Sequence, residues 1–282
     1  MNKKQIVIII AVIAVCGYLY HLDPKGLVKP KATRTNSGVA SDSDKPAAAN
    51  ITIASVSSTA KAAIGAALTA KINDLEGQLK NAPENSKPAL QKQLAVQWDD
   101  DNQPAPAAFY YQAVGRKENK YDDWLNAGNR FNEAYKLTQD TAAQAFYTTS
   151  AAESFQNALK LNAESLAAKT GLGIAYVNGA GMPMQGIALL LEVVKKDPKN
   201  IDANLNLGLF SMKSGQYPKA VDRFKAVIAA KPGFEAYYYL AETYKELGKK
   251  PEAIAAYQKS KEMMPDPVFG QRIDEYIKEL KN

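Results

Sequence analysis

The sequence predicts an all-α solenoid, a stack of antiparallel helix pairs, and three observations carry that prediction. First, small residues recur at a fixed offset. Gly208 is followed twelve residues later by Ala220, then by Phe224 and Pro232, and Ala241 is followed by Ala253, Tyr257 and Pro265 at the same spacing. Gly173, Gly186, Leu190 and Pro198 form a third, slightly stretched copy. Second, Gly215 and Gly248 fall between the paired small residues, where a tight turn between two helices is needed. Third, the 282 residues are 46% hydrophobic and 23% charged, with one Cys and one His, an ordinary globular composition. That count excludes a disulfide framework and any structural zinc site built on His and Cys.

From the N-terminus, the chain opens with a short basic head, Met1 to Lys4, and an uncharged run from Ile6 to Leu22 dominated by Ile, Val, Ala and Leu. About 17 such residues reach the lower limit of a spanning helix, and Tyr18 and Tyr20 suit the membrane–water interface. Residues 1–22 are therefore expected to be a single transmembrane signal-anchor. A cleaved secretory signal and lipidation at Cys16 stand as alternatives, the latter disfavoured by Val15 just before the cysteine. The very short tail favours an orientation with the tail inside and the body translocated. In a bacterium that places the body in the periplasm, on the inner membrane. Lys25, Lys29, Lys31 and Arg34 follow the span and weaken that orientation signal.

Residues 23–58 are rich in Ala, Ser, Thr, Lys, Asp and Pro with almost no large apolar side chain. Such a segment cannot bury enough surface to offset its ordering entropy and reads as a disordered tether. Residues 59–87 hold an amphipathic helix, over about 59–81, and its connection. Ala60, Ile64, Leu68, Ile72, Leu75 and Leu79 follow in steps of four and three and share one face. That stripe is expected either to pack on the domain that follows or to join two copies into a homo-oligomer. Roughly three heptads are marginal for a coiled coil.

Five units follow, over 88–120, 121–165, 166–200, 201–233 and 234–267, and each is expected to be two antiparallel helices. Pro198, Pro232 and Pro265 end the second helices, because proline cannot continue one. Leu94, Ala95 and Trp98 mark the first unit, and Trp124, Ala127, Gly128 and Phe131 the second. Extra residues before Ala151 predict a second helix lengthened to about 142–161, with Thr141 and Gln144 as a capping box. The third unit carries a widened turn over Asn178 to Pro183. A stack needs a polar-faced end, and residues 268–282 supply it as a capping helix with Ile273, Tyr276, Ile277 and Leu280 on one face.

These small, aromatic and proline positions resemble the tetratricopeptide repeat (TPR) family, whose period is about 34 residues. The resemblance covers about two-thirds of the chain and is stronger for the last three units than for the first two. It implies a TPR superhelix that binds a protein or peptide on its concave face, through five positions of each first helix. Those positions hold Ala167, Thr170, Ile174, Val177 and Asn178 in the third unit. They hold Asp202, Leu205, Leu209, Met212 and Lys213 in the fourth, and Glu235, Tyr238, Glu242, Lys245 and Glu246 in the fifth. One TPR subgroup grips a chaperone's C-terminal carboxylate with a set of cations. Here Glu235 and Tyr239 stand where cations are required and only Asn206 fits, so that mode is rejected. The implied site is an apolar strip of Ile174, Leu205, Leu209, Met212 and Tyr238, edged by Asn178, Asn206 and Lys213.

The remaining chemistry is sparse. Residues 1–87 carry a net charge of +5 and residues 88–282 only +1, so the folded part lacks the basic surface of a nucleic-acid binder. There is no P-loop, and Gly171 and Gly173 lack the third glycine of a dinucleotide fingerprint. His21 borders the apolar run with no nucleophile or acid in view. Asp99, Asp100 and Asp101 form the one tight acidic run and read as a solvated turn. No catalytic residue, cofactor or metal is expected. The sequence points to a non-enzymatic, membrane-anchored TPR adaptor, with a structural subunit of an envelope complex as the alternative and an enzyme or glycan-binding protein behind both.

Overall fold

The computed structural model describes residues 51–281, which form thirteen α-helices and no strand. The expected anchor over 1–22, with Cys16 and His21, and the tether up to residue 50 lie outside the described residues. Among the described residues, no helix is long and apolar enough to cross a membrane. The helices are α1 Ile53–Ala63, α2 Ala66–Asn81, α3 Lys87–Asp100, α4 Pro104–Glu118, α5 Tyr121–Leu137, α6 Thr141–Leu161 and α7 Leu166–Asn178. They continue with α8 Pro183–Lys196, α9 Ile201–Lys213, α10 Tyr217–Ala230, α11 Phe234–Glu246, α12 Lys250–Met263 and α13 Pro267–Lys281.

From α3 to α12 consecutive helices pair as hairpins, and each second helix also packs on the first helix of the next pair. First helices meet one another along the stack, α5 with α7, α7 with α9 and α9 with α11. The result is a helical repeat solenoid.

The recurring small residues mark where helices come closest. A methyl group at Gly208 would lie 2.6 Å from the Phe224 ring, and one at Gly171 would lie 2.1 Å from the Phe155 ring. Ala220, Ala241 and Ala253 are fully buried. Gly215 and Gly248 have φ of +72° and +69°, the left-handed turn conformation that glycine adopts without strain. The core runs the length of the stack. Trp98, Leu94 and Ile72 anchor it near α3; Phe131 and Phe155 continue it; Leu190, Val193 and Leu207 fill the middle; and Phe224, Tyr257 and Ile273 complete it. α13 covers the end with Ile273 and Ile277, while Asp274, Glu275 and Lys278 face water.

Three expectations need correction. The helix expected over about 59–81 is two helices, because Ile64 is extended at φ −105°, ψ 156° and Gly65 starts the next one. Helix also begins earlier than the tether allows. Thr52 Oγ1 accepts from the Ser55 backbone N–H at 3.2 Å and Ser55 Oγ accepts from that of Thr52 at 3.0 Å, a reciprocal cap that starts α1 at Ile53. The cap of α6 is Asp140, not Thr141. Asp140 Oδ1 accepts from Ala142 N–H at 2.9 Å, and Gln144 instead donates to the Thr138 carbonyl at 2.9 Å.

The 60–79 stripe packs on the repeats. Ile72 is fully buried with Trp98 and Leu94, and Ala60 joins the same cluster.

Candidate partner-binding face

The candidate residues sit on first helices, and their surroundings separate them. Leu205, Leu209 and Met212 lie on one side of α9, spaced by about a turn each, and Tyr238 projects from α11 beside them. All four are half-buried and lean on the cluster of Phe224, Leu240, Ala241 and Tyr257. The apolar strip is thus partly anchored and partly open.

Tyr238 is held among rings. Its centroid lies 5.7 Å from Tyr239, 6.1 Å from Tyr257 and 6.4 Å from Phe269. Burial, then the nearby Glu242 carboxylate, push its phenol up to about 12, so it is a neutral hydroxyl at physiological pH. Tyr257 donates to Glu242, and burial raises its phenol further.

The polar edge is uneven. Asn206 donates to its own helix, at the Asp202 carbonyl, at 2.9 Å. Lys213 is exposed at the end of α9, and Asn178 is half-buried at the end of α7.

Ile174 is a correction. It is 8% exposed and packs with Leu190, Val193 and Leu207 as core. Its helix position matches that of Leu209, but α8 and α9 close over it.

The acidic run is a solvated turn only in part, since Asp100 is exposed but Asp99 is not free. Asp99 accepts from the Tyr111 hydroxyl at 2.9 Å and forms an ion pair with Arg130 at 2.8 Å, tying α3 to α4 and α5. Burial raises the Asp99 carboxyl despite both partners. Asp123, fully buried, pairs with Lys92 at 2.9 Å. Among the described residues no group of three or more His, Cys, Asp or Glu is placed to hold a metal ion.

One apolar surface went unnoticed in the sequence. A cleft of about 520 Å³ opens between α8, α9 and α10, lined by Met184, Ile187, Leu191 and Phe210 with Lys219 and Arg223 at its rim. The signal was the run Leu189 to Leu191, since three successive leucines cannot all face inward. Leu190 is fully buried and Leu191 is 45% exposed.

Comparison with known proteins fits this architecture. The tetratricopeptide repeat family matches residues 211–266. No curated protein matches the sequence. A tetratricopeptide repeat protein from Parabacteroides merdae superposes with a TM-score of 0.55 at 18% identity, covering 81% of this chain and 88% of its own. A thermophilic TPR protein from Thermus thermophilus gives 0.52 at 20% identity, covering 67% of this chain and 97% of its own. At such identities the likeness is one of fold. The chain carries tetratricopeptide repeat sequence at residues 211–266, within an all-α repeat solenoid of the kind that TPR proteins share.

Proposed function

We propose that the chain is a non-enzymatic adaptor that binds a protein or peptide on its first-helix face, tethered to a membrane through Ile6 to Leu22. The observation that carries this reading is the half-buried strip of Leu205, Leu209, Met212 and Tyr238. Its rings and aliphatic side chains are anchored on the core yet partly open. That combination, an apolar body with a tyrosine hydroxyl as handle, is what binding hot spots use. Asn178, Asn206 and Lys213 edge the strip and give polar contacts to a bound chain. Ile174 is left out, being core.

The competing reading, a subunit that oligomerises through the 60–79 stripe, has less surface to work with, since Ile72 and Ala60 are already buried against the repeats. In the membrane reading, the body lies on the translocated side, in the periplasm of a bacterial cell. A photo-crosslinking residue at position 209 should trap a discrete protein adduct in native membranes, whereas one at Lys259, exposed on α12, should not. Equal or absent adducts at both positions would overturn the proposal. Full-length chain should resist alkaline extraction from membranes, and residues 23–282 should not; extraction of both would refute the anchor.

A further inference from the structure

The array carries a second docking surface, on its second helices, and the chain's own α1 lies in it. Ile51 packs against the aromatic cluster around Phe131 and Phe155, and Ile53 and Ala60 join the cluster around Trp98. Cavities lie along the helix and at its start. One of about 470 Å³ lies between Val56 and Pro104, Leu137 and Tyr147; another of about 710 Å³ lies between Ile53 and Phe109, Arg116 and Phe146.

The helix is held lightly. Of its 11 residues only Val56, Ser57 and Ala60 are buried. It is shorter than the roughly 12–15 residues an isolated helix needs, and its Ser, Thr and Val residues are modest helix formers. Helix here depends on the surface beneath. Polar contacts from α2 fix it: Glu76 accepts from Ser57 Oγ at 2.6 Å and pairs with Lys61, and Thr69 Oγ1 donates to the Lys61 carbonyl at 3.3 Å. The extended Ile64 beside Gly65 separates α1 from α2. Nor must the array fill such a gap to stack. The corresponding cleft beside α8 and α10 stays open, with Met184 74% exposed.

We infer that the groove between α4 and α6 is a helix-docking site occupied in cis by α1, and that a helix of the same chemistry supplied in trans displaces it. That chemistry is a short amphipathic helix with Ile, Val and Ala at the spacing of Ile53, Val56 and Ala60, followed by a cation for Glu76. The tethered α1 competes at high effective concentration, so the free site is only a fraction of the total and apparent affinity falls by that fraction. This inference is independent of the first-helix strip.

The test uses the full chain in nanodiscs and a fluorescent synthetic peptide of residues 51–64. Val56→Asp with Ala60→Asp in the chain should loosen α1 and raise peptide affinity about tenfold or more over wild type. A peptide carrying Val56→Asp should not bind. In the unaltered chain, amides of α1 should exchange hydrogen roughly a hundredfold faster than those of α5, since local opening precedes global unfolding. The inference falls if the double variant binds the peptide no better than wild type. It also falls if α1 amides exchange as slowly as those of α5, or if the double variant loses cooperative melting, because each makes α1 part of the core.

Discussion

Replacing Trp124 by alanine is the sharpest test of how the second pair docks on the first. Trp124 is 4% exposed, and its indole lies over Gly115 so closely that a methyl there would sit 2.9 Å from the ring. Gly115 has no side chain to move into the space left behind. The gap therefore stays open, and buried aromatic-to-alanine changes of this type cost about 3–5 kcal/mol. The indole N–H donates to Asn119 Oδ1 at 3.1 Å, but Asn119 is exposed and water replaces that bond cheaply. Nearly all of the loss should come from packing, so Trp124→Phe should recover most of it. Urea unfolding of the chain without residues 1–22, followed by circular dichroism, measures both variants. If the array melts in steps, the loss belongs to the transition of its N-terminal half. A change below about 1 kcal/mol for Trp124→Ala would show that the α4–α5 junction does not hold the stack together.

Other outcomes follow from the same packing and charge arguments. Gly171→Ala places a methyl 2.1 Å from the Phe155 ring and should cost about 1–3 kcal/mol, while Gly77→Ala, at an exposed position of α2 with nothing within 4 Å, should stabilise by about 0.5–1 kcal/mol in thermal melts. Tyr238 has its phenol raised from 10 to about 12, so the folded state holds that proton more tightly than the unfolded chain does. The stability linked to it is complete below pH 10 and is lost as pH rises from 10 to 12; melting curves across that window should fall, and less steeply in Tyr238→Phe. Removing residues 1–22 should leave a cooperative, strongly helical protein, checked by melting; aggregation without a transition would count against the division of the chain.

The repeat architecture was legible because close packing leaves marks that do not depend on neighbours far away in sequence. Gly208 faces Phe224 and Gly173 faces Leu190 within one helix pair, so the offset between small and large residues repeats with the pair. The start of α1 was not legible, since Ile53 and Val56 are its only large apolar residues and Ser55, Ser57, Ser58 and Thr59 make that stretch read as tether. Its helix is imposed by α4, on which it packs. The break at Ile64 was hidden for the opposite reason: Ala60, Ile64 and Leu68 keep a helical step straight across it. At the candidate face, helix position told which way a residue points but not what covers it. Ile174 is covered by side chains of α8 and α9, whereas Leu209 is only partly covered. Asp99 likewise depends on Tyr111 and Arg130, which come from two other helices.

The central claim is that the strip on α9 and α11 binds a partner, and Leu209→Glu measured for both binding and stability tests it most directly. With the crosslinked partner in hand, its affinity for the variant should fall by about 30-fold or more, near 2 kcal/mol. Leu209 is half-buried, so the stability loss should stay within about 1.5 kcal/mol and the variant should remain folded. A variant whose binding loss merely tracks its unfolded fraction, with the folded fraction binding normally, would contradict the claim.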